Sequence, residues 1–125
     1  MIIGVVNDKR EAVVSIVVRG PHGQEREIEA VIDTGFTGFL TLPFSFIVSL
    51  ALTWRGQAQA ELGDGSLHQF DVYEASVTWD GQLRTVETDA ADTMPLIGMG
   101  LLYGYDLHIQ TVEGGTVTIE ALPIP

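Results

Sequence analysis

The sequence predicts a mostly β domain of compact, barrel-like form with one small helix. Segments rich in β-branched residues alternate with short glycine turns, and this alternation is typical of strands joined by hairpins. Only two short stretches have helical character. The composition shows no break along the 125 residues. We therefore expect residues 1–125 to form a single domain.

In the first half of the chain, strands are predicted where β-branched or alternating residues run up to a turn. Residues 2–6 and 12–18 are such runs, and residues 20–23, with two glycines and a proline, end the second. Residues 25–32 alternate charged and apolar side chains and finish in an apolar run, as a strand with a buried end does. The predicted helix is residues 44–52, which follow Pro43 and lack glycine.

In the second half, three glycine turns separate strand-like segments. The turns are Gly63-Asp64-Gly65, Asp80-Gly81 and Gly114-Gly115. Each offers residues that accept a positive φ angle, as tight hairpins require. The predicted hairpins pair residues 70–79 with 82–88 and residues 107–112 with 116–122. A second, single helical turn is expected at residues 100–103.

Composition excludes several classes of function. The net charge is −11 and only six residues are Lys or Arg, so neither nucleic acid nor an anionic membrane is an expected partner. The chain has no cysteine, and its three histidines never share a short ligand spacing. We therefore expect no metal and no cofactor. No apolar run approaches the length of a membrane span, and a cytoplasmic location is the default expectation.

Asp33 is the residue whose position suggests chemistry. It ends the apolar run of residues 30–32, and Thr34 and Gly35 follow it directly. A carboxylate at the end of a buried strand is costly to desolvate unless hydrogen bonds or a second carboxyl group compensate. The plainer interpretation is a turn in which Asp33 accepts a hydrogen bond from its own backbone. The tripeptide alone does not separate these hypotheses.

The wider context resembles the retropepsin-like aspartic proteases of clan AA, in particular their small bacterial and cyanobacterial type. Residues 31–43, which contain Asp33-Thr34-Gly35, are similar to the active-site segment of that family. Residues 95–102, Pro-Leu-Ile-Gly-Met-Gly-Leu-Leu, are similar to its second signature, and residues 62–66 fall where the family has its flap hairpin. Order, spacing and length agree over most of the chain.

The resemblance implies an all-β acid-protease barrel with one short helix and half an active site per protomer. Aspartic proteases need two carboxyl groups that share a proton. Because the chain contains one Asp-Thr-Gly motif, the resemblance implies a homodimer in which Asp33 faces its twin. Asp33, Thr34 and Gly35 are then the catalytic residues, with Thr34 reaching the partner's backbone and Gly35 offering backbone groups.

The resemblance also implies the substrate-binding residues. These are Phe36, Gly63, Asp64, Gly65 and Ile97, and the flap turn is expected to close over a bound peptide. Two departures from the family pattern stand out. Phe36 occupies a position where the family usually has Ala or Ser, and Thr37 and Met99 replace an acidic residue and an arginine that form an ion pair in many viral members.

The function that the sequence predicts is an aspartic endopeptidase acting on peptide or protein substrates as a homodimer. A water held between two Asp33 carboxyl groups would attack the peptide carbonyl. The alternative is a catalytically inactive module with the same fold that dimerises or binds peptides, which the two departures favour. A third hypothesis is a structural β domain in which Asp33 only caps a turn.

Overall fold

A computed structural model describes residues 1–123 and contains ten strands and two helices in that range. The strands are β1 (Ile2–Val6), β2 (Ala12–Arg19), β3 (Glu25–Ile32), β4 (Leu40–Leu42), β5 (Thr53–Glu61), β6 (Leu67–Trp79), β7 (Gln82–Ala90), β8 (Leu96–Ile97), β9 (Tyr105–Ile109) and β10 (Thr116–Ala121). The helices are α1 (Phe44–Ser49) and α2 (Met99–Leu102).

Six strands close into a barrel. The hydrogen-bonded order β6-β7-β4-β8-β3-β2 returns to β6, because β2 also pairs with β6. Most pairs are antiparallel, but β3 with β8 and β4 with β7 are parallel. Closure removes free strand edges around the ring. The all-β barrel fold predicted from the sequence is confirmed.

The barrel interior is apolar and continuous with the helices. Side chains that point inward from alternate strand positions are fully buried, including Val18, Leu40 and Val77. Leu101 of α2 and Ile47 of α1 join the same cluster. Trp79 sits at the end of β6, and its ring meets Tyr105 of β9 edge to face at a centroid distance of 5.8 Å. That contact ties the C-terminal hairpin to the barrel.

The predicted hairpins and helices are present, with shifted ends. The β6–β7 hairpin turns at Asp80-Gly81, where both residues have positive φ, and β9–β10 form the C-terminal hairpin. The latter strands end at Ile109 and Ala121, short of the predicted 112 and 122. Helix α1 is also shorter than predicted, because Leu50 caps it and Ala51 takes a φ of 50°. Helix α2 begins one residue early, at Met99.

Outside the barrel, the sheet continues through β1, β10 and β9. Residues Ile2–Val5 of β1 pair with β10, from Ile2 opposite Ile119 to Val5 opposite Thr116. On its other side, Val5 and Val6 of β1 pair with Val13 and Ala12 of β2. Strand β1 is therefore already paired within one protomer, and β9 forms the edge of this extension.

No helix in residues 1–123 has both the length and the apolar character needed to cross a membrane.

Candidate active site

The loop between β3 and β4 carries the Asp-Thr-Gly motif. β3 ends at Ile32, where it pairs in parallel with Ile97 of β8. The backbone N–H of Asp33 donates to the Ile97 carbonyl over 2.9 Å. The motif therefore starts as a direct continuation of a ladder inside the barrel. This fixes the Asp33 backbone without using its side chain.

The Asp33 carboxyl group is half-buried and has one hydrogen-bond partner in residues 1–123. Oδ1 accepts the backbone N–H of Gly35 at 2.9 Å, and Oδ2 receives none. Thr34 and Gly35 are both exposed. The turn expected of the plainer interpretation is thus formed, and it leaves Oδ2 without a hydrogen bond in residues 1–123. A group held in this way remains available to water or to a second carboxyl group.

Helix α2 holds the far side of the loop through backbone hydrogen bonds. The N–H groups of Gly98, Met99 and Gly100 donate to the carbonyls of Phe39, Phe36 and Gly38 over 3.1, 2.8 and 2.9 Å. The start of α2 and the Asp33 loop are thereby joined by three consecutive donors. The second sequence signature acts here as a rigid backing for the first.

Phe36 packs inward in the protomer. A Cβ placed on Gly38 would lie 2.5 Å from its ring, and one placed on Gly98 would lie equally close to another ring atom. Both positions therefore have room only for glycine while the ring stays in place. The substrate contact predicted for Phe36 remains a prediction. Thr37 and Met99 line a shallow pocket with Arg84. Neither Thr37 nor Met99 carries a charge, so the ion pair that many viral members have at these two positions cannot form.

Ile97 lies beneath the motif. Its side chain is fully buried, with 0% exposure, and its carbonyl receives the Asp33 N–H. Such a side chain supports the loop from below, and the substrate contact predicted for Ile97 remains a prediction. Thr41 on β4 adds a support that sequence analysis missed, because its buried hydroxyl accepts the N–H of Leu96 at 3.1 Å.

The predicted flap turn joins β5 to β6 and stands clear of the barrel. All of residues 59–69 are exposed. Asp64 Oδ1 accepts both the N–H of Ser66 at 2.9 Å and its hydroxyl at 2.5 Å. These hydrogen bonds from Ser66 lower the pKa of the Asp64 carboxyl group. Gly65 takes a φ of 83° within the turn. Gly63, Asp64 and Gly65 therefore form an ordered tip that packs on nothing in the protomer.

A cavity of about 650 Å³ opens beside the end of β3. Val31 and Ile32 form one wall, and the turn after β1 and the loop after β9 form the others. Apolar groups and charged groups such as Arg10 and Glu113 both face it. The cavity therefore lies next to the residue that precedes Asp33.

Asp89, near the end of β7, is a charged residue that sequence analysis missed. Its carboxyl group is partly buried, and this desolvation, followed by the charge of Glu87, raises its pKa. One carboxyl oxygen lies 3.6 Å from the position that a Cβ on Gly38 would take. Asp89 thus reaches the active-site loop from a strand whose sequence gave only an alternating pattern. The local sequence Glu87-Thr88-Asp89 carried no signal of that approach.

The architecture matches solved aspartic proteases. A retropepsin-like aspartic protease from Rickettsia conorii superposes with a TM-score of 0.59 at 14% identity, covering 98% of this chain and 91% of that one. The EIAV protease complexed with the inhibitor HBY-793 superposes with a TM-score of 0.60 at 15% identity, covering 77% of this chain and 88% of that one.

At these identities the similarity establishes the fold: the chain has the retropepsin-like fold of aspartic proteases. No protein-family model matches the chain. No curated protein matches its sequence either.

Proposed function

We propose that the chain is an aspartic endopeptidase that works as a homodimer, with Asp33 of each protomer contributing one carboxyl group to a single site. The observation that carries this proposal is the Asp33 loop. Its backbone is fixed by β8 and α2, while one oxygen of its half-buried carboxyl group has no hydrogen-bond partner in residues 1–123. One such motif per chain supplies half of the required pair.

The chemistry follows from two facing carboxyl groups that share one proton. The ionised group takes a proton from a water held between them, and the water oxygen attacks the carbonyl carbon of the peptide. The protonated group donates its proton to the carbonyl oxygen, which gives a tetrahedral diol. Proton transfer to the amide nitrogen then allows the C–N bond to break, releasing an acid and an amine.

The exposed flap and the motif loop provide complementary halves of a peptide-binding cleft. The exposed turn at residues 62–66 can close over a substrate, and an extended peptide would lie between it and the loop. Thr34 and Gly35, exposed beside Asp33, are proposed to contact the partner backbone and the substrate.

Mixing active and inactive chains tests the shared site. Asp33→Asn is nearly isosteric, so the variant should fold and dimerise but cleave no peptide. When equal amounts of parent and variant exchange subunits, about a quarter of the dimers keep two Asp33 carboxyl groups, so activity per parent chain falls to about half. The measurement is cleavage of a broad fluorogenic peptide library as the mixing ratio is varied.

Glu25→Gln is the matched control, since it removes an exposed carboxylate that pairs with Arg19 at the far end of the β2–β3 hairpin. Mixing this variant with the parent should leave activity unreduced. If activity per parent chain stays constant when Asp33→Asn is added, each chain works alone. A parent that binds peptides but cleaves none would instead identify the inactive peptide-binding module.

A further inference from the structure

A second cavity lies between the start of β6, the returning strand of the flap hairpin, and the end of β7, with Thr41 of β4 also in its lining. Its volume is about 200 Å³. His68 and Phe70 on β6 form one wall, and Asp89 together with the residues that follow it forms the other. Since β6 is the returning strand of the flap, a peptide held between flap and loop would pass this cavity.

Within residues 1–123, the partly buried carboxyl group of Asp89 has no partner that would offset the cost of its desolvation. In residues 1–123 it receives no hydrogen bond and forms no ion pair. The charged or titratable groups around it are Glu87 on the same strand, Asp92 beyond it and His68 across the cavity. Two of these are acidic, and no Lys or Arg lines the cavity. A partly buried carboxylate without a cation is costly, so the site is suited to receive one from a ligand.

We propose that Asp89 is a specificity-determining residue that binds a lysine or arginine side chain of the peptide substrate. The inference rests on the proposed peptidase function and adds the substrate class. Phe70, Ala90 and Ala91 give the cavity apolar walls for the methylene stem, while Asp89 receives the charged head. A glutamate at the same peptide position would meet Asp89 and Asp92 and be rejected.

The probe is a position-scanned set of fluorogenic decapeptides. Each has two apolar residues at its centre and one flanking position occupied by lysine, norleucine or glutamate. At one position the parent should cleave the lysine peptide about tenfold better in kcat/KM than the norleucine peptide, as expected for a charge-assisted contact. In Asp89→Asn that ratio should fall to near one, and in Asp89→Lys the glutamate peptide should become preferred.

Glu87→Gln is the matched control, because it removes the same charge two residues away on the same strand, where the side chain is exposed and outside the cavity. It should retain the lysine preference. A parent without any lysine preference, an unchanged ratio in Asp89→Asn, or an equal loss in Glu87→Gln would overturn the proposal.

Binding to a cleavage-deficient chain separates this proposal from the proteolytic function. Fluorescence anisotropy of the same peptides with Asp33→Asn should show about tenfold tighter binding of the lysine peptide, abolished by adding Asp89→Asn. If no peptide is cleaved but this binding pattern holds, the Asp89 assignment stands and the peptidase function fails. If peptides are cleaved and bound without regard to lysine, the Asp89 assignment alone fails.

Discussion

The Asp89 carboxyl group should make the stability of the fold depend on pH. Burial raises its pKa above the ordinary 3.8, so the folded chain holds the proton more tightly than the unfolded chain does. The resulting stabilisation is complete below the unfolded pKa and is lost as pH rises through the folded pKa. At neutral pH the ionised group is therefore destabilising. Asp89→Asn should raise the free energy of unfolding at pH 7 by less than about 1 kcal/mol, given solvent screening.

Chemical denaturation at pH 3 and at pH 7 measures this difference. The gain from Asp89→Asn should disappear at pH 3, where both states are protonated. Glu87→Gln should show a smaller gain at pH 7, because it removes only the neighbouring charge. A variant that is destabilised equally at both pH values would mean that Asp89 makes a favourable contact in the fold.

Two glycines near Asp33 should respond differently to an added methyl group. In Gly98→Ala the new Cβ would meet the Gly38 carbonyl as well as the Phe36 ring, whereas in Gly38→Ala it would overlap only that ring. Overpacking of this kind costs about 1–3 kcal/mol. Adding Phe36→Ala should therefore relieve Gly38→Ala and leave Gly98→Ala destabilised, as a double-mutant cycle in denaturant would show.

The exposed Gly63→Ala serves as the reference, since a Cβ there meets nothing within 4 Å. Its effect should stay within about 0.5 kcal/mol. If Phe36→Ala restores the stability of both glycine variants equally, the Gly38 carbonyl must move aside for the methyl group of Gly98→Ala.

The conformation of the flap turn is held by hydrogen bonds within the turn itself. Asp64→Ala removes both hydrogen bonds from Ser66, so the amide hydrogens of Leu62 and Gly65, which bond within the turn, should exchange several-fold faster. The midpoint of thermal unfolding should stay the same, because the turn residues 62–66 are all exposed and lie outside the barrel. Ser66→Ala, which keeps the backbone donor to Asp64, should have a weaker effect. A fall in the unfolding midpoint with Asp64→Ala would show that the flap is coupled to the barrel.

Local sequence signals predicted those elements whose geometry is set locally. The β6–β7 hairpin follows from Asp80-Gly81, and the support of the Asp33 loop by residues 95–102 follows from the similarity of both segments to one family. The pairing of β4 with β7 and the closure of β2 onto β6 join distant residues and left no local signal. The same holds for Asp89, whose approach to Gly38 arises only when β7 is placed beside β4.

At the scale of the whole molecule, the proposed site requires two protomers. Ile3 and Val5 of β1 point outward and are exposed, with Ile3 at 67%, although β1 is paired along its length. We expect this face to contact a second chain. Ile3→Glu should raise the dissociation constant of the dimer at least about tenfold, since it places a charge in an apolar interface.

Sedimentation equilibrium with the parent, Ile3→Glu and Val48→Glu would test this assignment. Val48 is similarly exposed, at 60%, but lies on α1, so its variant should dimerise as the parent does. Circular dichroism would establish that each variant is folded. A parent that stays monomeric at high micromolar concentration would exclude the shared site, and equal dissociation of both variants would remove β1 from the interface.

The pairing of β1 with β10 has a consequence for how the chain reaches its native state. Ile2 lies opposite Ile119, so β1 leaves the ribosome long before its partner strand has been made. Until then Ile2 and Ile3 have no partner strand, since β2 pairs only with Val5 and Val6, and the loop that must close spans residues 2 to 119. Long-range pairings of this kind slow folding and prolong exposure to misassociation. Completion of the sheet is therefore expected to be a late step in folding.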